Sequence, residues 1–253
     1  MADVYLDEIG SERNAKLSSD FIRALASSQN HKTLTDYLQE RHVSEDSVKT
    51  FEIGYCPERI TFPDSLRLLN NLKGRLTFPI KDEYGDVIGF SGRYPRQHKE
   101  DESKWWHSAF VKSFFLYGLN VAQEHIIKDG FVIITEGAID AIACHQNGLK
   151  NTVAMLGTAL TSTQISKLKR FTSNFVLLFD GDKAGQTAAK SLTGYFDVWN
   201  NNAHAENYKY INVNLKTDGK EFDPDTFLLE KGIDQLKKKI KSSKKKEPQH
   251  EWV

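Results

Sequence analysis

The sequence predicts an α/β fold: a parallel sheet with helical crossovers, preceded by a smaller mixed α/β N-terminal subdomain. Three observations predict it. Two apolar runs of strand length, 132–135 and 176–179, stop abruptly in carboxylate and glycine, as Glu136-Gly137 and Asp180-Gly181-Asp182. Runs that are apolar throughout suit strands buried on both faces under helices. From residue 131 onward strand-like and helix-like segments alternate as β-α-β-α-β-α-β, the order of parallel strands joined by crossovers. Further upstream, two strand-like runs flank a cluster of turn residues, the pattern of a hairpin. The 253 residues are enough for one large domain or two small ones. The divisions expected are 1–125 for the N-terminal subdomain, 126–230 for the parallel-sheet subdomain and 231–253 for a basic tail, helical or disordered.

Residues 1–30 are polar, with Leu17, Phe21, Ile22 and Leu25 at helical spacing. A frayed start and a helix from about Ser19 are expected. Leu34, Tyr37 and Leu38 mark a second helix ending near Arg41. Ser44 caps a third, running to about Thr50, with Glu45 and Asp46 favourable in its first turn. Residues 51–55 read as a short strand closed by Pro57, and 60–72 as loop and helix. Segments 75–81 and 87–93 form a hairpin across Asp82-Glu83-Tyr84-Gly85-Asp86. Pro79 places the first of these strands at an edge or beside a bulge. Residues 95–103 are a charged loop. Lys104-Trp105-Trp106-His107-Ser108 follows, suiting either base stacking beside cations or a buried tryptophan pair.

Residues 120–128 read as a helix, 131–135 as a strand, and 138–147 as a helix stopped by Gly148. A strand at 152–156 leads to Gly157. Thr161-Ser162-Thr163-Gln164 has capping-box spacing and opens the next helix. A strand at 175–179, a helix from about residue 185 to Trp199, a strand at 208–215 and two short helices complete the pattern.

Ligands of open parallel sheets bind outside the carboxyl ends of the strands. Glu136, Asp180 and Asp182 are therefore expected together at one sheet edge. Asp140, on the first helical turn after Glu136, points back towards it. Asp223 and Asp225 form a second D-x-D after the last strand. Carboxylates so close raise one another's pKa, and a divalent cation relieves the conflict. D-x-D at a strand end puts both aspartates on one side if the strand continues through Gly181. Magnesium, which keeps water and substrate phosphate in its shell, suits so few protein carboxylates. Gly137, Gly157 and Gly181 leave room for phosphate. An EF-hand is disfavoured, because Ser191 stands where the bidentate glutamate belongs. Neither a P-loop nor a dinucleotide fingerprint occurs.

Charge is balanced, with 34 basic and 34 acidic residues, so net charge argues for no partner. Its distribution is uneven: Lys231, Lys237, Lys238, Lys239, Lys241, Lys244, Lys245 and Lys246 crowd the last stretch. Two cysteines, Cys56 and Cys144, provide neither a disulfide framework nor a cysteine-rich zinc module. No secretion signal and no membrane span are expected, and a reducing cytoplasm fits best.

Glu136-Gly137-Ala138-Ile139-Asp140, Leu156-Gly157-Thr158-Ala159-Leu160-Thr161 and Phe179-Asp180-Gly181-Asp182-Lys183-Ala184-Gly185 resemble the Toprim region of bacterial DnaG-type DNA primases. The resemblance extends outward. Tyr37-Leu38 through Arg41, Phe51-Glu52-Ile53-Gly54-Tyr55, the hairpin from Arg75 to Arg93, Leu116-Tyr117-Gly118-Leu119 and Asp223-Pro224-Asp225 match in order, so it covers about residues 20–240. It implies synthesis of short RNA primers from NTPs on a single-stranded DNA template, with Mg²⁺ or Mn²⁺ and without zinc. Glu136, Asp180 and Asp182 would be catalytic, Glu136 moving a proton or touching metal. Asp180, Asp182, Asp223 and Asp225 would be metal ligands, and Asp140 a supporting acid. Arg75, Arg93, Lys104 and Lys112 would meet template and nucleotide in a basic groove. A replicative helicase is a candidate partner. The chain departs from the family at Lys104-Trp105-Trp106-His107-Ser108, where a lysine-tyrosine-leucine-asparagine-serine run is usual. Its length resembles a phage or mobile-element form, or a catalytic fragment, and action in the cytoplasm of a bacterial host is expected. A Toprim metal nuclease and a non-catalytic replication adaptor are the competing functions.

Overall fold

The structure, a computed structural model, describes residues 8–27, 32–95, 103–157, 159–201 and 208–244. Most of the expected loop at 95–103 lies outside those residues, as do Lys245 and Lys246. The chain divides into two compact units, residues 1–111 and 112–253.

In the first unit, α1 (Glu8–Ser27) begins well before Ser19. Its buried stripe includes Gly10, Asn14, Ser18 and Phe21, spaced three or four apart. Most of that stripe is small or polar, so hydrophobic periodicity does not reveal it. Asn14 Nδ2 instead donates to the carbonyls of Val87 and Ile88 at 3.1 and 3.2 Å. Helices α2 (Lys32–Glu40) and α3 (Glu45–Thr50) follow, the latter capped by Ser44 as expected. The expected strand at 51–55 shrinks to β1 (Gly54–Tyr55), because Phe51 and Glu52 form a turn in which Glu52 has φ 51°. A 3-10 helix spans Asp64–Leu72.

Strands β2 (Leu76–Lys81), β3 (Val87–Arg93) and β4 (Trp105–His107) complete an antiparallel sheet in the order β1-β2-β3-β4. Pro79 has an explanation here. β1 pairs only with Leu76 and Thr77, so Pro79 lies beyond its reach, and the ladder shifts register between Ile80 and Lys81. The missing N–H therefore costs no ladder bond on that side.

The second unit contains α4 (Leu119–Asp129), β5 (Val132–Thr135), α5 (Ala138–Gln146), β6 (Thr152–Ala154), α6 (Ser162–Lys169), β7 (Asn174–Leu177), α7 (Lys183–Asn200), β8 (Lys209–Asn212), α8 (Pro224–Lys231) and α9 (Ile233–Lys244). The four strands are all parallel, in the order β6-β5-β7-β8. The sheet is buried on both faces. Val132, Ile134, Phe175 and Leu177 pack with α4, α6 and α7, whereas Ile133, Val176 and Ile211 pack with α5, α8 and α9. This alternation is why the strands read as unbroken apolar runs. The strands end sooner than expected. β6 stops where Leu156 turns to φ 57°, and β7 stops at Leu177. From β5 the chain passes to β6 on one side, then crosses to β7 on the other. The crevice between the ends of β5 and β7 is thus the topological switch point of the sheet, where ligands of such folds bind.

Candidate active site

Glu136 follows β5 directly. Thr135 Oγ1, at the strand end, donates to the carbonyls of Val153 and Gly137, both at 3.3 Å, and so sets the turn that presents Glu136. On the other side of the crevice, the Asp180 backbone N–H donates to Glu136 Oε1 at 3.1 Å. Gln186 Nε2 of α7 donates to the Asp180 carbonyl at 3.1 Å. Helix α7 comes this close only because residue 185 is glycine. A Cβ there would fall 2.3 Å from the Asp180 carbonyl oxygen and 2.7 Å from Glu136 Oε1.

The D-x-D aspartates do not share a strand face as expected. The β7 ladder ends three residues before Asp180, and Asp182 turns to cap α7, accepting from the Gly185 N–H at 2.8 Å. The second D-x-D repeats the device: Asp223 caps α8, accepting from the Thr226 N–H at 2.7 Å. A backbone bond joins the two loops, Gly181 N–H to Phe222 O at 2.8 Å. Any Cβ at Gly181 would sit 3.0–3.1 Å from Phe222 and Leu215 backbone atoms. Asp140, on α5, accepts from the Asp225 N–H at 3.2 Å, and a Cβ at Gly137 would meet its Oδ2 at 2.7 Å. Glycine at 137 and 181 thus answers to crowding inside the unit. Among the described residues, a Cβ at Gly157 would meet nothing nearer than 3.9 Å.

These contacts gather Glu136, Asp140, Asp180, Asp182, Asp223 and Asp225 into one field of mutual repulsion. Burial, then the charges of Glu136, Asp223 and Asp182, push the Asp180 carboxyl up to about 7. Burial, followed by Asp180 and Asp223, holds Asp140 well above the usual carboxylate range. Glu136 is raised by burial and by Asp182, against the lowering effect of the Asp180 N–H. Asp180 Oδ1 is buried without a hydrogen-bond partner among the described residues. Among the described residues, no three His, Cys, Asp or Glu side chains converge into a ready-made cation cage. The donor set nevertheless fits a hard divalent ion. It is all oxygen, it contains an orphaned buried carboxylate oxygen, and magnesium needs only one or two protein carboxylates beside water and phosphate.

The four expected basic contacts differ in setting. Arg75 is 5% exposed, donating from Nε to Asn71 O at 2.8 Å and from Nη1 to Ser103 O and Lys104 O at 2.9 and 3.2 Å. Its guanidinium lies 3.9 Å from the Tyr94 ring centroid. Arg93 is also buried. Its Nε donates to the Tyr37 hydroxyl at 3.1 Å, and its guanidinium lies over the Tyr37 and Trp105 rings. Lys104 and Lys112 are exposed. The tryptophan pair divides between two faces of β4. Trp106 packs on the core of the first unit, while Trp105 lies against Phe78 and stacks parallel to His107.

Two families match the chain. One, described as Toprim-like, covers residues 133–228. The other, the N-terminal domain of the DNA primase catalytic core, covers residues 60–123. The chain belongs to the DnaG-type bacterial primases. DNA primase of Helicobacter pylori (strain ATCC 700392 / 26695) is 38% identical over 179 residues, 61% of this chain and 32% of that protein. The chain thus spans about a third of the length of that curated relative. The crystal structure of the Aquifex aeolicus primase (zinc-binding and RNA polymerase domains) aligns at 28% identity and TM-score 0.73, covering 94% of this chain and 63% of that one. The structure of a DnaG primase catalytic domain bound to single-stranded DNA aligns at 25% identity and TM-score 0.74, covering 92% and 80%. These matches agree with the expected parallel sheet of Toprim type and with the expected family.

Several residues that build this primase-type site carry no chemical motif of their own. Thr135, Gly185 and Gln186 act through hydrogen bonds and close approach. Gln164 is expected only as a cap and does more. Besides closing the capping box with Thr161, its Nε2 donates to Lys112 O at 3.0 Å and Phe115 O at 2.8 Å, fixing the segment that carries Lys112.

Proposed function

We propose that this chain synthesises short RNA primers on single-stranded DNA by divalent-metal-dependent nucleotidyl transfer, in the cytoplasm of a bacterial cell. The observation that carries the proposal is the carboxylate cluster at the switch point of a primase-type sheet, with Asp180 Oδ1 unsatisfied. Asp180, Asp182, Asp223 and Asp225 would hold Mg²⁺ or Mn²⁺. Bound there, the ion supplies charge neutralisation of the nucleotide phosphates and of the leaving group. Glu136, raised and adjacent to Asp180, is placed to accept the proton of the attacking 3′-hydroxyl or to touch the ion. Asp140 acts as a positioning residue, fixing the α8 start that carries Asp225. Lys104 and Lys112, both exposed, are suited to template or NTP phosphates. A solved primase catalytic domain bound to single-stranded DNA supports that template.

The test is incubation with single-stranded DNA, NTPs and Mg²⁺ or Mn²⁺, followed by resolution of short RNA. Glu136→Gln and Asp182→Asn each abolish product while the melting curve is kept. Full activity in either variant overturns the mechanism. Release of nucleotide from DNA, with no product from NTPs, overturns it in favour of a nuclease.

A further inference from the structure

Leu236 and Ile240 anchor α9 in the core beneath the parallel sheet, where they are 0% and 4% exposed. Lys239 is half-buried. Its Nζ donates to the carbonyls of Asn214 and Lys216, both at 3.0 Å. Those two residues flank Leu215. The same Nζ stands 5.7 Å from the centroid of the Phe227 ring. Phe227 in turn meets the Phe222 ring edge to face at 5.5 Å.

Leu215 and Phe222 are the two walls of the slot that holds Gly181. A Cβ at residue 181 would fall 3.1 Å from the Leu215 carbonyl carbon and 3.0 Å from Phe222 O. Gly181 separates Asp180 from Asp182, and Phe222 precedes Asp223. One ammonium group thus supports both walls between which the acidic loops dock, the first directly and the second through Phe227. Without a cation the carboxylates of the two loops repel one another. A charged donor holds a carbonyl more strongly than a neutral one does, and this donor spans the carbonyls on either side of Leu215.

We infer that Lys239 is a positioning residue for the divalent-cation site: it fixes the Leu215 wall, so that the Asp180–Asp182 and Asp223–Asp225 loops stay docked before the ion arrives. This role presupposes an ion shared by the two loops, as in the function proposed above. A chain whose loops part in the absence of the ion binds it with an affinity reduced by the fraction still docked. The sign of the effect separates this role from that of charge alone. Removing a lysine charge near a cation site lessens repulsion of the ion and tightens binding. Removing the clamp weakens it.

The test is Mn²⁺ binding to the full chain, followed by the electron spin resonance of free Mn²⁺, with neither nucleotide nor DNA present. Lys239→Met keeps the aliphatic stem and removes the donors, and Lys239→Arg restores donors for both carbonyls. Lys237→Met, at an exposed position of the same helix, removes an equal charge as a control. Loss of the clamp should weaken binding about fivefold, the low end of ordinary coupling between sites. The Arg variant should keep the parental affinity, and the Lys237 control should bind as tightly as the parent or more so. Melting curves taken alongside report folding. Lys239→Gln, too short to span both carbonyls, replaces the Met variant if that one does not fold. In primer synthesis the Met variant should need more Mn²⁺ for half-maximal rate and reach the parental rate at saturation. Unchanged or tighter Mn²⁺ binding in the folded variant overturns the inference even if its Tm falls, because Lys239 then only fastens α9. Absence of Mn²⁺ binding in the parent overturns it together with the metal site. If the affinities follow the expected order while no primer is made, the inference holds and the polymerase reading falls.

Discussion

Asp180 donates its backbone N–H to Glu136 at 3.1 Å, while its own carboxylate is pushed up to about 7 in part by that same Glu136. The main chain ties the two residues together and their side chains oppose the tie.

Asp180→Asn is expected to stabilise the cation-free chain at pH 8. The folded value of about 7 lies above the unfolded value of 3.8. The native state therefore holds the proton longer, and its contribution to stability is full below pH 3.8 and is lost as pH rises through 7. Asn removes that loss. The gain, after solvent screening of a half-buried group, is of the order of 1–2 kcal/mol. Millimolar Mg²⁺ should then raise the Tm of the wild type more than that of the variant. Equal shifts in both would remove Asp180 from the cation site.

Gly185→Ala should be far more disruptive than alanine is in most helices. The new Cβ meets the Asp180 carbonyl and Glu136 Oε1 inside normal contact distance. α7 must move away from the crevice, at about 1–3 kcal/mol for overpacking. Primer synthesis should fall at least tenfold. Gly194→Ala, in the same helix with no described residue within 4 Å of its Cβ position, is the control and should be neutral or stabilising.

His145 provides a pH signature of opposite sign. Burial lowers it from 6.5 to about 4, with Nε2 held 2.8 Å from Thr152 O. Its contribution is present above pH 6.5 and is lost as pH falls towards 4. The drop is on the order of 3 kcal/mol. In urea denaturation at pH 7, 5.5 and 4, His145→Gln should show a shallower loss than the wild type. Parallel profiles would mean that His145 charges without cost in the folded chain.

Arg75→Lys should lower stability by about 1–3 kcal/mol even though charge is kept. A lysine has no Nε and no plane to lie over Tyr94, so carbonyls now served by one guanidinium lose donors. Thermal unfolding of the first unit reports it. An unchanged Tm would show that these bonds are dispensable.

The parallel sheet was legible because both its faces are covered, so β5 and β7 are apolar except for Thr135 at the end of one and Asn174 at the start of the other. The carboxylate cluster was legible because its members stand where those runs end. The start of α1 was not, since Gly10, Asn14 and Ser18 bury a polar stripe that hydrophobic spacing treats as solvent-facing. The geometry of Asp182 was not either. Whether a residue after a strand continues it or caps the next helix is decided by where the ladder ends, and Leu178-Phe179 is as apolar as the strand itself. Arg75 and Arg93 carry no mark in sequence that separates an internal guanidinium from one offered to phosphate.

The bond from the Gly181 N–H to Phe222 O joins segments about forty residues apart. It exists only when the second acidic loop is docked on the first. Exchange of that single amide hydrogen with solvent is thus a clock for the opening of the site, readable without any turnover. A bound ion or nucleotide that spans both loops would slow the clock, while one held by Glu136 and Asp180 alone would leave it running at the same rate.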